Sequence, residues 1–63
     1  MVTVKLRSKV FEIRSGLTLL STLLKLGILP EAVLATRNGE LLTEDEILFE
    51  DDAITLIEVI SGG

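Results

Sequence analysis

The sequence predicts a small α+β domain: a mixed sheet of four to five strands with one helix packed across one face. Three observations predict it. Two short alternating segments open the chain, a leucine-rich segment with helix-end signals follows, and β-branched segments fill the second half around an Asn-Gly pair. Sixty-three residues allow a single domain. A chain of this length buries only ~60% of the surface that its unfolded form exposes. With 48% hydrophobic residues, two Phe and no Trp, Tyr or Cys, the core must be aliphatic and free of disulfides.

Val2-Thr3-Val4-Lys5-Leu6-Arg7 alternates apolar and polar residues, the pattern of a half-buried strand with Val2, Val4 and Leu6 inward. After a turn at Ser8-Lys9, Val10 to Arg14 resumes the alternation with Phe11 and Ile13 inward, so the two segments read as a hairpin. Ser15-Gly16 ends it. Thr18 is placed to cap a helix over Leu19 to Leu26, and Gly27 fits the position just past its end. Leu20, Leu23 and Leu24 are expected on its docked face. So short a helix is marginal alone and depends on docking.

Ile28 to Glu31 is a connection in which Pro30 prevents further helix. Val33 to Arg37 and Glu40 to Leu42 flank Asn38-Gly39, a pair that tolerates the positive φ of a two-residue hairpin turn. Thr43 to Asp52 reads as an acidic surface loop or single helical turn, anchored by Ile47, Leu48 and Phe49. Ile54 to Ile60, rich in β-branched residues, is the last strand. Helix-on-sheet economy places the first and last strands side by side in the middle of the sheet. The domain then spans residues 1–60, and Ser61, Gly62 and Gly63 form a flexible tail.

Ten acidic residues against six basic ones give a net charge of −4, with no basic face to displace counterions from nucleic acid. No apolar run is long enough to span a bilayer, and no charged segment precedes an apolar one at the start. The expectation is a cytoplasmic protein with no direct nucleic-acid or membrane contact. The chain has no His and no Cys, which removes neutral-pH general bases, thiol nucleophiles and imidazole ligands. The acidic residues Glu44, Asp45, Glu46, Glu50, Asp51 and Asp52 lack the alternating spacing and central glycine of a calcium loop. They read as a solvated loop, and no metal site is expected. A domain this small offers little concavity once its core is filled. No catalytic residue, enzymatic activity or bound cofactor is expected.

The end of the chain is different. Glycine costs extra ordering entropy, so a terminal Gly62-Gly63 adds nothing to stability. It does leave a slim arm whose Gly63 carboxylate is free of side-chain hindrance and open to another enzyme. Strand parity adds a surface beside that arm. With Ile54 and Leu56 facing the helix, Ile57 and Val59 face away, and with Val33 and Ala35 inside, Leu34 and Thr36 are outside. Leu34, Thr36, Ile57 and Val59 then form a partner-binding patch, since contiguous exposed apolar surface marks such sites.

The strand order, short capped helix, Asn38-Gly39 hairpin, acidic Thr43–Asp52 segment, apolar last strand and terminal Ile60-Ser61-Gly62-Gly63 together resemble the ubiquitin-like β-grasp proteins. Over essentially the whole chain they resemble the prokaryotic sulfur carriers of the ThiS/MoaD group, and the length favours its ThiS and TtuB-like branches over MoaD. The resemblance implies a protein co-substrate rather than an enzyme. A ThiF/MoeB-like activating enzyme would use ATP to adenylate Gly63. A persulfide from a cysteine desulfurase or rhodanese-like donor would then displace AMP and leave a thiocarboxylate.

Ser61, Gly62 and Gly63 would enter the partner's active site, and the Leu34, Thr36, Ile57 and Val59 patch would meet the activating enzyme. A downstream synthase or thiolase would take the sulfur for thiamine thiazole, 2-thiolated tRNA or, least in keeping with the length, molybdopterin. The alternative that the resemblance leaves open is a ubiquitin-like modifier joined through Gly63 to target lysines, with Lys5, Lys9 and Lys25 among the possible acceptors.

Overall fold

Residues 1–59 are described by the computed structural model, and their element order is the expected one with five strands. These are β1 (Val2–Leu6), β2 (Lys9–Ile13), α1 (Leu19–Lys25), β3 (Val33–Arg37), β4 (Glu40–Leu41) and β5 (Ala53–Glu58). The sheet order is β2-β1-β5-β3-β4. β1 and β5 run parallel at its centre, and every other neighbouring pair is antiparallel. With α1 on one face, this is the α+β arrangement of the ubiquitin-like β-grasp fold.

The core follows from strand parity. Val2 and Val4 of β1, Ile54 and Leu56 of β5, and Val33 and Ala35 of β3 are buried on one face. Leu19 and Leu23 of α1 and Leu48 of the acidic loop close over them, with Phe11, Ile13 and Leu26 at the margin. The nine buried hydrophobic residues among those described are all aliphatic, in keeping with a composition that holds only two Phe and no Trp or Tyr.

The first amides of α1 are satisfied from two directions. Thr18 Oγ1 accepts from Ser21 N at 3.1 Å, while Leu19 N donates to Glu46 O at 2.9 Å and Leu20 N to Glu44 O at 3.0 Å. The acidic loop thus supplies backbone caps that a lone helix would draw from water. At the other end Gly27 N donates to Leu24 O and Ile28 N to Leu23 O. With Gly27 at φ +74, this is a Schellman ending, and Gly27 sits where only its missing Cβ makes the conformation inexpensive.

Several local expectations change. The docked face of α1 is Leu19, Thr22 and Leu23 rather than Leu20, Leu23 and Leu24, and Leu24 is 61% exposed. Leucines occupy most of the helix circumference, so their spacing leaves its rotation open. The rotation comes from the Glu44 and Glu46 carbonyls, and from Thr22, which tolerates burial because its hydroxyl donates to Thr18 O at 2.9 Å. The first turn is centred on Arg7 and Ser8 instead of Ser8 and Lys9, since Leu6 pairs with Lys9, and Arg7 takes φ 56. Asn38 and Gly39 adopt positive φ of 54 and 82, as their turn requires.

The Thr43–Asp52 segment contains no helical turn, and of its three apolar side chains only Leu48 is buried. Leu48 N donates to Leu17 O and Leu48 O accepts from Gly16 N, so this stretch is locally extended. Period-two geometry then sends Leu48 inward and Ile47 and Phe49 outward. The last strand begins at Ala53 and ends at Glu58. Ile60 and the expected tail, Ser61, Gly62 and Gly63, lie outside the described residues.

Candidate functional site

The sheet face opposite α1 carries the patch expected from parity. Leu34 of β3 lies directly across from Ile57 of β5, and both are partly exposed, at 44% and 49%. Thr36 pairs with Thr55 and its hydroxyl donates to Thr55 O at 3.3 Å, so Thr36 borders the apolar pair as a polar edge. Val59 is exposed just past β5, where its N–H donates to Ala32 O at 2.9 Å. These four residues therefore share one region next to the point where the chain leaves the sheet.

Sequence reasoning missed Leu41. The two-residue Asn38-Gly39 turn forces Arg37 opposite Glu40 and Thr36 opposite Leu41. Leu41 must then share Thr36's face, where it is 66% exposed. The register implied by the turn was the available signal, and it extends the apolar strip to the β4 edge.

The root of the C-terminal segment is held on both flanks. On one side is the Val59–Ala32 bond to the 3₁₀ turn Pro30–Ala32. On the other, Arg7 forks onto the Glu58 carboxylate, with Nε 2.6 Å from Oε1 and Nη2 donating to Oε2 at 3.2 Å. Both side chains of that pair are exposed, so its net contribution to stability is small. Its effect is geometric, since it ties the last residue of β5 to the β1–β2 turn.

The acidic segment sits at the other end of the sheet, and several of its carboxylates are partnered. Arg37, on β3, donates from Nη1 to Asp52 Oδ2 at 2.9 Å and from Nη2 to Glu46 Oε2 at 3.3 Å. Its guanidinium also lies 5.9 Å from the Phe49 ring centroid. Asp52 Oδ2 accepts the Phe49 N–H at 2.8 Å as well, and that bond, followed by the Arg37 contact, holds the Asp52 carboxyl below its usual range. The Met1 ammonium and the Ser15 hydroxyl lower Glu50 in the same way, and the Thr43 hydroxyl lowers Asp45. Among the described residues no group of three or more acidic side chains is arranged to hold a metal ion.

The Asp52 contacts have a pH consequence. A carboxyl held low in the folded state contributes stability that is present above its unfolded pKa and lost as pH falls through its folded pKa. Asp52→Asn should therefore cost about 1 kcal/mol at neutral pH, the contact being partly solvent-screened, and should flatten the acid limb of a stability-versus-pH curve. Urea titrations at a series of pH values check this. An acid limb of unchanged steepness would show that Asp52 is not a source of the dependence.

No imidazole, thiol or enclosed carboxylate pair is present to act as a catalytic centre among the described residues. None of their helices is long and apolar enough to cross a membrane. What the fold offers is a rigid body with an apolar strip at the base of its C-terminal segment.

Residues 2–63 match the sequence profile of the ThiS family. The chain is also similar to a protein of Thermus thermophilus named Sulfur carrier protein TtuB. The two are 38% identical over 55 residues, which cover 87% of this chain and 85% of that relative.

Proposed function

The chain belongs to the ThiS family, and on that premise we propose that it carries sulfur as a thiocarboxylate formed on Gly63. It is a protein carrier rather than a catalyst. A ThiF/MoeB-like activating enzyme joins the Gly63 carboxylate oxygen to the α-phosphorus of ATP and releases pyrophosphate. A persulfide from a cysteine desulfurase or rhodanese-like donor attacks the acyl carbon and AMP leaves. A thiol then reduces the sulfur–sulfur bond to the donor cysteine, which frees the thiocarboxylate. The recipient is a synthase or thiolase acting in thiamine thiazole synthesis or tRNA 2-thiolation.

The observation that carries this reading is likeness along nearly the full length to a named sulfur carrier, including the terminal residues 62 and 63 in the family match. The chemistry of the chain supports it. With no His or Cys in the sequence, the polypeptide brings no imidazole or thiol of its own and offers a presentable carboxylate instead. Incubation with the cognate activating enzyme and ATP should release pyrophosphate in proportion to the chain supplied. Release independent of the chain would contradict the proposal.

The Leu34–Ile57 strip is assigned to the activating enzyme. Ile57→Glu should slow adenylation at least about tenfold, as loss of a central apolar contact does. Its melting temperature should change little, because the side chain already faces solvent. Slow adenylation accompanied by large destabilisation would instead place Ile57 in the core, where an unpaired charge is costly.

A further inference from the structure

The charged side chains are sorted along the sheet. β5 starts beside Thr3 and runs past Leu6, so the chain leaves it at the end that carries the Arg7-Ser8 turn. The last turn of α1 leads through Gly27 to Pro30–Ala32 at this same end, where Ala32 O receives Val59 N–H. Of the six cations, Lys5, Arg7, Lys9 and Lys25 lie in this half, with only Glu31 and Glu58 among the ten carboxylates. The other eight carboxylates lie toward the opposite end, six of them between Glu44 and Asp52, against Arg14 and Arg37.

Pairing sharpens the contrast. Arg37 is engaged by Asp52 and Glu46, and the Met1 ammonium by Glu50. Lys5, Lys9 and Lys25 are exposed and make no ion pair among the described residues. The six-residue β5 separates the two ends by ~20 Å, more than twice the ~8 Å screening length of physiological salt. A partner at one end therefore senses little of the other. Although the chain is acidic overall, it presents free cations around the root of its C-terminal segment.

We propose that Arg7, Lys9 and Lys25 form an electrostatic docking rim for a protein partner whose tail-accepting site is bordered by carboxylates. This rests on the reading of Gly63 as the reacting end. The rim sets the direction of approach and the association rate, while the Leu34–Ile57 strip supplies the apolar contact. An acidic protein surface fits better than a polyanion such as RNA, because a long polyanion would extend from the rim toward eight carboxylates. Glu58 moderates the rim by occupying the Arg7 guanidinium.

The test is stopped-flow association of the full chain with its cognate activating enzyme at low and high salt. Lys9→Glu combined with Lys25→Glu removes no ion pair, so thermal melts should match the unaltered protein. Its association should be about tenfold slower at low salt, with the difference vanishing at high salt. Glu58→Gln, which releases Arg7, should associate faster, and Glu12→Lys with Glu44→Lys at the far end should not slow binding. Equal rates for the lysine variant and the unaltered chain would overturn the proposal. So would tRNA retention in a gel shift that is lost in the lysine variant. Failure of the unaltered chain to be adenylated, with salt-dependent association intact, would count against the Gly63 reading and leave the rim standing.

Discussion

Deleting Gly62 and Gly63 should abolish adenylation and thiocarboxylate formation, a loss of at least about a thousandfold in rate. The effect is total in principle because the deletion removes the reacting carboxylate from its reach, and the sequence has no His or Cys. A new carboxylate on Ser61 would end two residues short of the reacting position, and misplacement by even ~1 Å can cost a hundredfold. The folded body should be untouched, since no buried residue lies beyond Leu56 among those described. Unchanged circular dichroism and melting, with no pyrophosphate release, is the expected pair of results. Retained adenylation after the deletion would sink the assignment of the reaction to Gly63.

Leu48→Ala should be the most damaging single change to the fold. Leu48 is fully buried, packed among Val2, Val4, Ile54 and the α1 leucines, and lies in a loop that also caps the helix. Its truncation should cost about 2–5 kcal/mol, against a total stability of about 3–9 kcal/mol for a domain of this length. The melting temperature should fall by more than about 10 °C, and near-ambient unfolding is within that range. Leu24→Ala is the matched control, because Leu24 is mostly exposed on α1 and should change stability by no more than about 0.5 kcal/mol. Comparable losses at both positions would contradict the helix rotation described above.

Those two leucines show what could be read from the sequence and what could not. Alternation in Val2–Leu6, Val33–Arg37 and Ala53–Glu58 carries its own inside–outside assignment, since period two leaves only one free choice per strand. Hence the buried set of the sheet and the Leu34 and Ile57 exposure were legible, while the central β1–β5 pairing followed from helix-on-sheet economy rather than from alternation. A short helix with leucines at positions 19, 20, 23, 24 and 26 offers no such unique choice. Its rotation is fixed by carbonyls of Glu44 and Glu46, more than twenty residues away, which no local pattern reveals. The same holds for Leu48, whose burial depends on pairing with Leu17 and Gly16 across the molecule. Leu41 is an intermediate case, readable once the turn at Asn38-Gly39 is carried through to its register.

For the site, the apolar strip was legible because it depends on strand parity, whereas the proposed reacting end, Gly63, lies outside the described residues. The placement of Lys25 at the same end of the sheet as Arg7 and Lys9 was not visible in the sequence. Arg7 and Lys9 are neighbours at the β1–β2 turn, but Lys25 is distant along the chain and is brought to their end of the sheet only by the course of the helix.

The central claim is that Gly63 becomes a thiocarboxylate. Intact-mass spectrometry of the full chain, after incubation with its activating enzyme, ATP and a persulfide donor, tests it most directly. The predicted result is a gain equal to the replacement of one oxygen by sulfur, located at Gly63 by fragmentation and absent without ATP. An unchanged mass after complete adenylation, or lysine-linked conjugates through Gly63 with no sulfur-bearing form at any time, would contradict it.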